Sequence, residues 1–251
     1  MIYPGGVDHR GRTHEVGSLG AAVRHTSCNR PLMLTAAHVV GSLSAAHPLG
    51  QKEVLLGRGP APLSGDPLIG DAVASHPPEP SDVVELDACL VALQDHVDLR
   101  QEVRGGVVTS GRPREMSTVP EDDTIVVHKR GINSPGLTSG LLDPEPVALQ
   151  TELSSWAGRG VLRDYPRGYL ITGTDAEYPF ARGGDSGSII IDDDDCVLGM
   201  IVALITDSPT HPRPGDPAFM VGINDVLAGL DIRLVGPDRP CTCADYAQPS
   251  G

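Results

Sequence analysis

The stretch Ala181-Arg182-Gly183-Gly184-Asp185-Ser186-Gly187-Ser188 surrounds one serine with glycines, and that needs a backbone reason. Glycine enters conformations other residues avoid. A tight turn here exposes the Ser186 hydroxyl and aims the amide N–H groups of Gly184 and Ser186 into one concavity, the geometry that stabilises a tetrahedral oxyanion. A serine hydroxyl is a poor nucleophile near neutral pH, so a base must take its proton, and histidine has the matching pKa. Of nine histidines, His38 stands out in Leu34-Thr35-Ala36-Ala37-His38-Val39-Val40, where a strand-like run ends in small residues that leave room round an imidazole. The others, at positions 9, 14, 25, 47, 76, 96, 128 and 211, lack such a context. The imidazole in turn needs a buried acceptor to hold its tautomer. Asp87, at the mouth of the apolar run Ala88-Cys89-Leu90-Val91-Ala92-Leu93, is a carboxylate where a charge is costly unless paired. Glu85 and Asp82 are nearby alternatives that do not adjoin the run.

Three such distant points require a scaffold that folds them together. Gly (30) and Pro (23) are scattered throughout, and apolar residues come in short bursts rather than at helical spacing, the texture of an all-β protein. The bursts are Leu19 to Val23, Leu32 to Thr35, Glu53 to Leu56, Ala88 to Leu93, Gly106 to Thr109, Thr124 to His128, Val147 to Leu149, Gly168 to Thr172, Ser188 to Ile191, Val197 to Leu204 and Ala218 to Gly222. That number suits a pair of small closed barrels. The run Asp192 to Asp195 reads as a solvated hairpin tip rather than a Ca²⁺ loop, because it lacks the ligand alternation and the glycine of such a loop. A helix is expected near Asn224 to Leu230, with Asn224 as N-cap and Asp225 in the first turn, and a single helical turn over Ala36 to Val40. The expected organisation is a first unit over 1–105, a linker over 106–122, a second unit over 123–235 and a tail over 236–251.

Composition narrows the partners. Nineteen Lys and Arg against 33 Asp and Glu, a net charge of −14, repel a polyanion, so no nucleic-acid partner is expected. No apolar run of membrane-spanning length occurs, and the opening residues Met1 to Gly6 lack the basic head and apolar centre of an export signal, so the expectation is a cytoplasmic chain with no membrane partner. Five cysteines, at 28, 89, 196, 241 and 243, are an odd count and favour a reducing compartment. Cys241 and Cys243 are read as two thiols in a Pro-flanked tail; no metal or other cofactor is expected.

The strings Thr35-Ala36-Ala37-His38, Asp87-Ala88-Cys89-Leu90 and Gly184-Asp185-Ser186-Gly187 resemble those of the trypsin and chymotrypsin family of serine peptidases, and they occur in that family's order. The stretch His128 to Gly140 is similar to the Lys-x-Gly-x-x-x-Gly-x-Thr-x-Gly segment that opens the second barrel in many bacterial-type members. The resemblance spans about Gly17 to Leu230. It implies two six-stranded Greek-key barrels with a short C-terminal helix, the first carrying His38 and Asp87 and the second Ser186. It also implies a serine endopeptidase in which Ser186 attacks a peptide carbonyl, His38 acts as base and then acid, Asp87 orients His38, and Gly184 and Ser186 supply the oxyanion hole. A protein or peptide is then the substrate.

Departures from the digestive members matter. Cys28 precedes His38, but Val39 stands where its bridging partner would be, so that disulfide is absent. In the animal enzymes a newly freed amine pairs with the aspartate before the serine; without it Asp185 needs another partner, for which Arg182 is one guess. If it finds none, the oxyanion hole stays unformed until an activating partner protein or a ligand arranges it. At the specificity pocket, Phe180 occupies the position six residues before Ser186 where trypsin-like members carry a carboxylate, and Val202, Ala203 and Leu204 are apolar. These side chains imply preference for a small or medium apolar residue before the cut. A catalytically silent two-barrel scaffold that binds a protein partner is the alternative, and an esterase or acyltransferase would use the same three residues.

Overall fold

In the computed structural model the described residues are 2–4, 17–27, 31–40, 52–56, 68–76, 86–93, 102–103, 107–108, 111–120, 123–131, 134, 136–153, 161–207 and 211–236. The tail beyond 236, with Cys241 and Cys243, lies outside them, as does Cys28. The first half supplies strands β1 (Ile2–Pro4), β2 (Ala22–His25), β3 (Pro31–Ala36), β4 (Lys52–Leu56), β5 (Leu68–His76) and β6 (Ala88–Leu93). A short hairpin, β7 (Glu102–Val103) and β8 (Val107–Val108), follows at the end of the first unit and the start of the linker. The second half supplies β9 (Ile125–Lys129), β10 (Thr138–Leu142), β11 (Val147–Leu153), β12 (Val161–Gly173), β13 (Ile189–Asp192), β14 (Val197–Leu204) and β15 (Ala218–Gly222), followed by helix α1 (Ile223–Gly229) and β16 (Ile232–Leu234).

The protein is an all-β, two-barrel molecule with one short helix. In the second half, order β10-β9-β13-β14-β15-β12 is closed by β10 pairing with β12, a six-stranded barrel to which β11 adds as a seventh strand on β12. The first half forms a seven-stranded antiparallel sheet in the order β1-β4-β5-β6-β3-β2-β16. Its last member comes from the other end of the chain: Ile232 to Leu234 pair with β2, strapping the two halves together.

Strands β6, β14 and β15 are buried along almost their whole length, because the halves pack face to face and cover both sides of them. One apolar cluster runs through that junction, joining Val23, Leu34 and Leu90 of the first half to Val202, Phe219, Val221 and Ile223 of the second. Each side chain fully removed from water there contributes about 1.5–3 kcal/mol. A second cluster, with Val127, Leu142, Ile171, Ile190 and Leu198, fills the closed barrel.

Two local expectations change. Helix α1 is capped by Gly222, in extended backbone, rather than by Asn224, which lies inside the helix; Asp225 is in the first turn as expected. The acidic tip is not wholly solvated. Asp192 is buried, accepts hydrogen bonds on Oδ1 from the Asp194 (3.0 Å) and Cys196 (2.8 Å) amides, and pairs with Arg114 at 2.8 Å, so it shapes the turn while Asp193 and Asp194 face water.

Candidate active site

Register brings His38 and Asp87 together. Strands β3 and β6 pair with Ala36 opposite Ala88, so the chain leaving β3 and the chain entering β6 are neighbours. Beyond Ala36 the backbone turns into a single 3₁₀ turn, Ala37–Val40, as the small residues allow. The Ala37 amide donates to the Asp87 carbonyl at 2.9 Å and the His38 amide to Asp87 Oδ1 at 3.0 Å. Asp87 takes a positive φ of 45°, a conformation that Asp tolerates better than most residues but that still needs support from its surroundings. The two amides supply that support. Its Oδ2 then lies 2.6 Å from His38 Nδ1. A carboxylate only accepts, so Nδ1 carries the proton and Nε2 is the basic nitrogen. Asp87 Oδ2 also accepts the phenol hydrogen of Tyr165 at 2.7 Å.

Ser186 is the second residue of the latter of two linked turns. Asp185 N–H donates to the Arg182 carbonyl and Ser188 N–H to the Asp185 carbonyl, both at 2.9 Å. The third residues of these turns, Gly184 and Gly187, have φ of 94° and 91°, the type II pattern that calls for glycine. Gly187 is constrained a second time, because a Cβ there would overlap the Ser18 carbonyl and lie 2.7 Å from Thr35 Oγ1 and 3.2 Å from the Ala36 amide. The serine turn therefore packs directly on the strand end that leads into His38. Ser18 ties the contact: its amide donates to the Ser186 carbonyl (2.8 Å), its hydroxyl to the Gly184 carbonyl (3.0 Å), and its own carbonyl accepts from Thr35 Oγ1 (2.9 Å). Among the described residues, neither the Gly184 nor the Ser186 amide enters a backbone hydrogen bond.

Asp185, beside the nucleophile candidate, is fully buried and has a partner, but not the guanidinium of Arg182. Lys129 Nζ lies 2.8 Å from its Oδ2, and both side chains are 0% exposed. Ser134 bridges them, accepting from Lys129 (2.7 Å) and donating to Asp185 (3.0 Å). Arg182 contributes its backbone amide to Oδ2 (2.9 Å), while its guanidinium lies over the Tyr178 ring. Gly131 is glycine because a Cβ there would overlap the Asp185 carboxylate. Burial pushes the Lys129 ammonium below its ordinary pKa, and the facing Asp185 charge pulls it partly back. Lys129 also stands 5.3 Å from the Phe180 ring centroid, a cation–π contact.

The four pocket residues do not share one lining. Phe180 is buried in the second barrel's own cluster, and Leu204 packs against that cluster. Val202 and Ala203 belong to the junction cluster, because β14 breaks register between Ile201 and Ala203. A second hydroxyl–imidazole–carboxylate string exists: His128 Nδ1 is 2.8 Å from Ser139 Oγ and its Nε2 is 2.8 Å from Asp193 Oδ1. Ser139 lies within β10, however, with no glycine turn beside its hydroxyl, so this string lacks the amides that an oxyanion requires. No group of three or more His, Cys, Asp or Glu among the described residues is arranged to hold a metal ion.

Residue reading alone did not single out Lys129 or Tyr165. Lys129 opens the segment similar to bacterial-type peptidases and could have been found there. Tyr165 carries no sequence signal beyond being an aromatic residue in a strand.

No protein-family model and no curated protein matches the chain by sequence. Solved structures do match in shape. A glutamic acid specific serine protease that utilizes a histidine triad in substrate binding superposes with a TM-score of 0.54 at 15% identity, over 87% of this chain and 98% of the other. The chymotrypsin of Cellulomonas bogoriensis superposes with a TM-score of 0.51 at 18% identity, over 94% and 95% of the two chains. The fold is therefore the chymotrypsin-like fold of serine proteases.

Proposed function

We propose that this chymotrypsin-fold chain is a serine endopeptidase that cleaves peptide bonds through an acyl-enzyme, with His38, Asp87 and Ser186 as its triad. One observation carries the reading: the Ser186 turn is docked, through Gly187 and Ser18, on the strand end that delivers an imidazole already held by a buried carboxylate. In this scheme the Ser186 hydroxyl attacks the substrate carbonyl while His38 Nε2 takes its proton. Asp87 stabilises the imidazolium that forms, and His38 returns the proton to the leaving amine. Water repeats the sequence on the acyl-enzyme. The Gly184 and Ser186 amides are the donors for the developing oxyanion, and removal of one such donor in enzymes of this kind costs about 100- to 1000-fold in kcat.

Asp185 has its cation inside the chain, so the serine turn does not depend on a newly created terminal amine for its counter-charge. This supports a turn braced at rest, and an activating partner protein is not needed for that purpose. Phe180 stands where trypsin-like members carry a carboxylate, so a small or medium apolar residue is expected before the cut, and a peptide-library cleavage profile dominated by Lys, Arg, Asp or Glu at that position would overturn that preference. The activity itself is tested with a fluorophosphonate probe. Wild type is expected to label and Ser186→Ala to stay unlabelled; equal labelling of both, or cleavage of casein by both, would refute the assignment. A silent scaffold would give no labelling of wild type even with its fold intact.

A further inference from the structure

We infer that Tyr165 is a positioning residue of the proposed triad, setting the basicity of His38 by sharing one oxygen of Asp87 with it. This assignment rests on the endopeptidase reading for its catalytic meaning, but the contact itself belongs to the structure.

The Asp87 carboxylate divides its work unequally. Oδ1 accepts the His38 backbone amide, whereas Oδ2 accepts two side-chain protons, from His38 Nδ1 at 2.6 Å and from Tyr165 Oη at 2.7 Å. Tyr165 is 1% exposed, and a phenol that deep must find an acceptor. It reaches Asp87 from the other half of the molecule. Strand β12 bulges against β11, with Val147 opposite Gly168 but Leu149 opposite Tyr165. That extra residue turns Tyr165 to the junction between the halves, while Tyr169 on the same strand faces the closed barrel's core. The Phe219 ring, tilted at 54° with centroids 5.5 Å apart, fixes the Tyr165 ring.

A hydrogen bond to an ionised group in so dry a site is strong, and each donor draws charge from the oxygen it shares. The phenol therefore weakens the hold of Oδ2 on the imidazolium. Without the hydroxyl, the whole charge of that oxygen faces the ring, the imidazolium gains stability and His38 titrates at higher pH. Among the described side chains, the other ionisable groups on β6 and β12 and Asp185 beside Ser186 have these partners. The Cys89 thiol on β6 donates to the Leu90 carbonyl, Asp164 accepts from Gln150, Arg167 donates to the Tyr169 hydroxyl, and Asp185 is matched by Lys129.

The test is an NMR titration of the His38 ring in the full chain, compared among wild type, Tyr165→Phe and Tyr165→3-fluorotyrosine, whose phenol is the more acidic donor. The midpoint is expected to rise by about half a unit to one unit in Tyr165→Phe and to fall in the fluorinated variant. Coincident midpoints would overturn the assignment, as would a shift of the same sign in both variants. A merely structural tyrosine would alter thermal stability without this ordered shift. Should Tyr165→Phe fail to fold, the fluorinated variant, which keeps ring and hydroxyl, decides alone. The titration needs no turnover. An ordered shift in a chain that never labels with fluorophosphonate would uphold the Tyr165 assignment and sink the endopeptidase reading, and unmoved midpoints in a chain that labels would do the reverse. In an active chain, the acid limb of kcat/KM moves with the His38 midpoint.

Discussion

Two buried aspartates, one in each half of the molecule, take partners that differ in kind. Besides the main-chain amide that each accepts, Asp87 meets an imidazole and a phenol, groups whose protons can move or be shared. Asp185 meets an ammonium, a serine hydroxyl and a main-chain amide, a set that pins it. A buried charge is costly in either position, so burial alone does not separate their roles. The partners do: the first carboxylate can respond to a proton arriving on His38, whereas the second ties down the turn that leads into Ser186.

The contrast is broken most sharply at Asp87. Asp87→Asn presents an amide to the imidazole, favours the wrong tautomer and is expected to lower kcat by about ten-thousand-fold with little change in urea stability. A loss under tenfold would remove Asp87 from the chemistry. Lys129→Met should act the other way round, through the fold. It strands the Asp185 charge in the interior and is expected to cost about 3–5 kcal/mol in urea denaturation, whereas Lys129→Met combined with Asp185→Asn recovers most of that loss. Unchanged stability in the single variant would show that the brace is dispensable.

The smallest effect is one of pH. The Lys129 pKa is depressed below 10.5 in the folded chain by burial. Below that depressed value both folded and unfolded chains hold the proton, and the burial cost is present in full. Between it and the ordinary lysine range the unfolded chain binds more protons, so this group's contribution to stability rises with pH. Over the same window Asp185 loses its counter-charge and turnover is expected to fall. Activity and denaturation profiles recorded side by side should therefore diverge on the alkaline side; a common decline would contradict the assignment.

Legibility in the sequence followed how local each cause was. The bursts at Ala88 to Leu93, Val197 to Leu204 and Ala218 to Gly222 coincide with β6, β14 and β15, since strands covered on both faces must be apolar without interruption. Strand β5 escaped notice because Gly70, Asp71, Ser75 and His76 dilute its pattern, and β16 because three residues are too few to show one. The serine turn was readable from its glycines, as positive φ at Gly184 and Gly187 demands them. The partner of Asp185 was not, because Arg182 is its neighbour in the chain while Lys129 reaches it across strands.

What the amino-acid sequence determined by itself was a set of short-range requirements: strands without helical period, glycines where the backbone must turn, and a nucleophile, base and acid candidate with their order along the chain. What only the tertiary structure decided was pairing. Lys129 with Asp185, Tyr165 with Asp87, and Ser18 across the Ser186 turn are contacts between residues far apart in the chain. Their cause is the desolvation of polar groups when the strands and the two halves pack, which forces each buried charge and hydroxyl to take whatever partner the packing brings near.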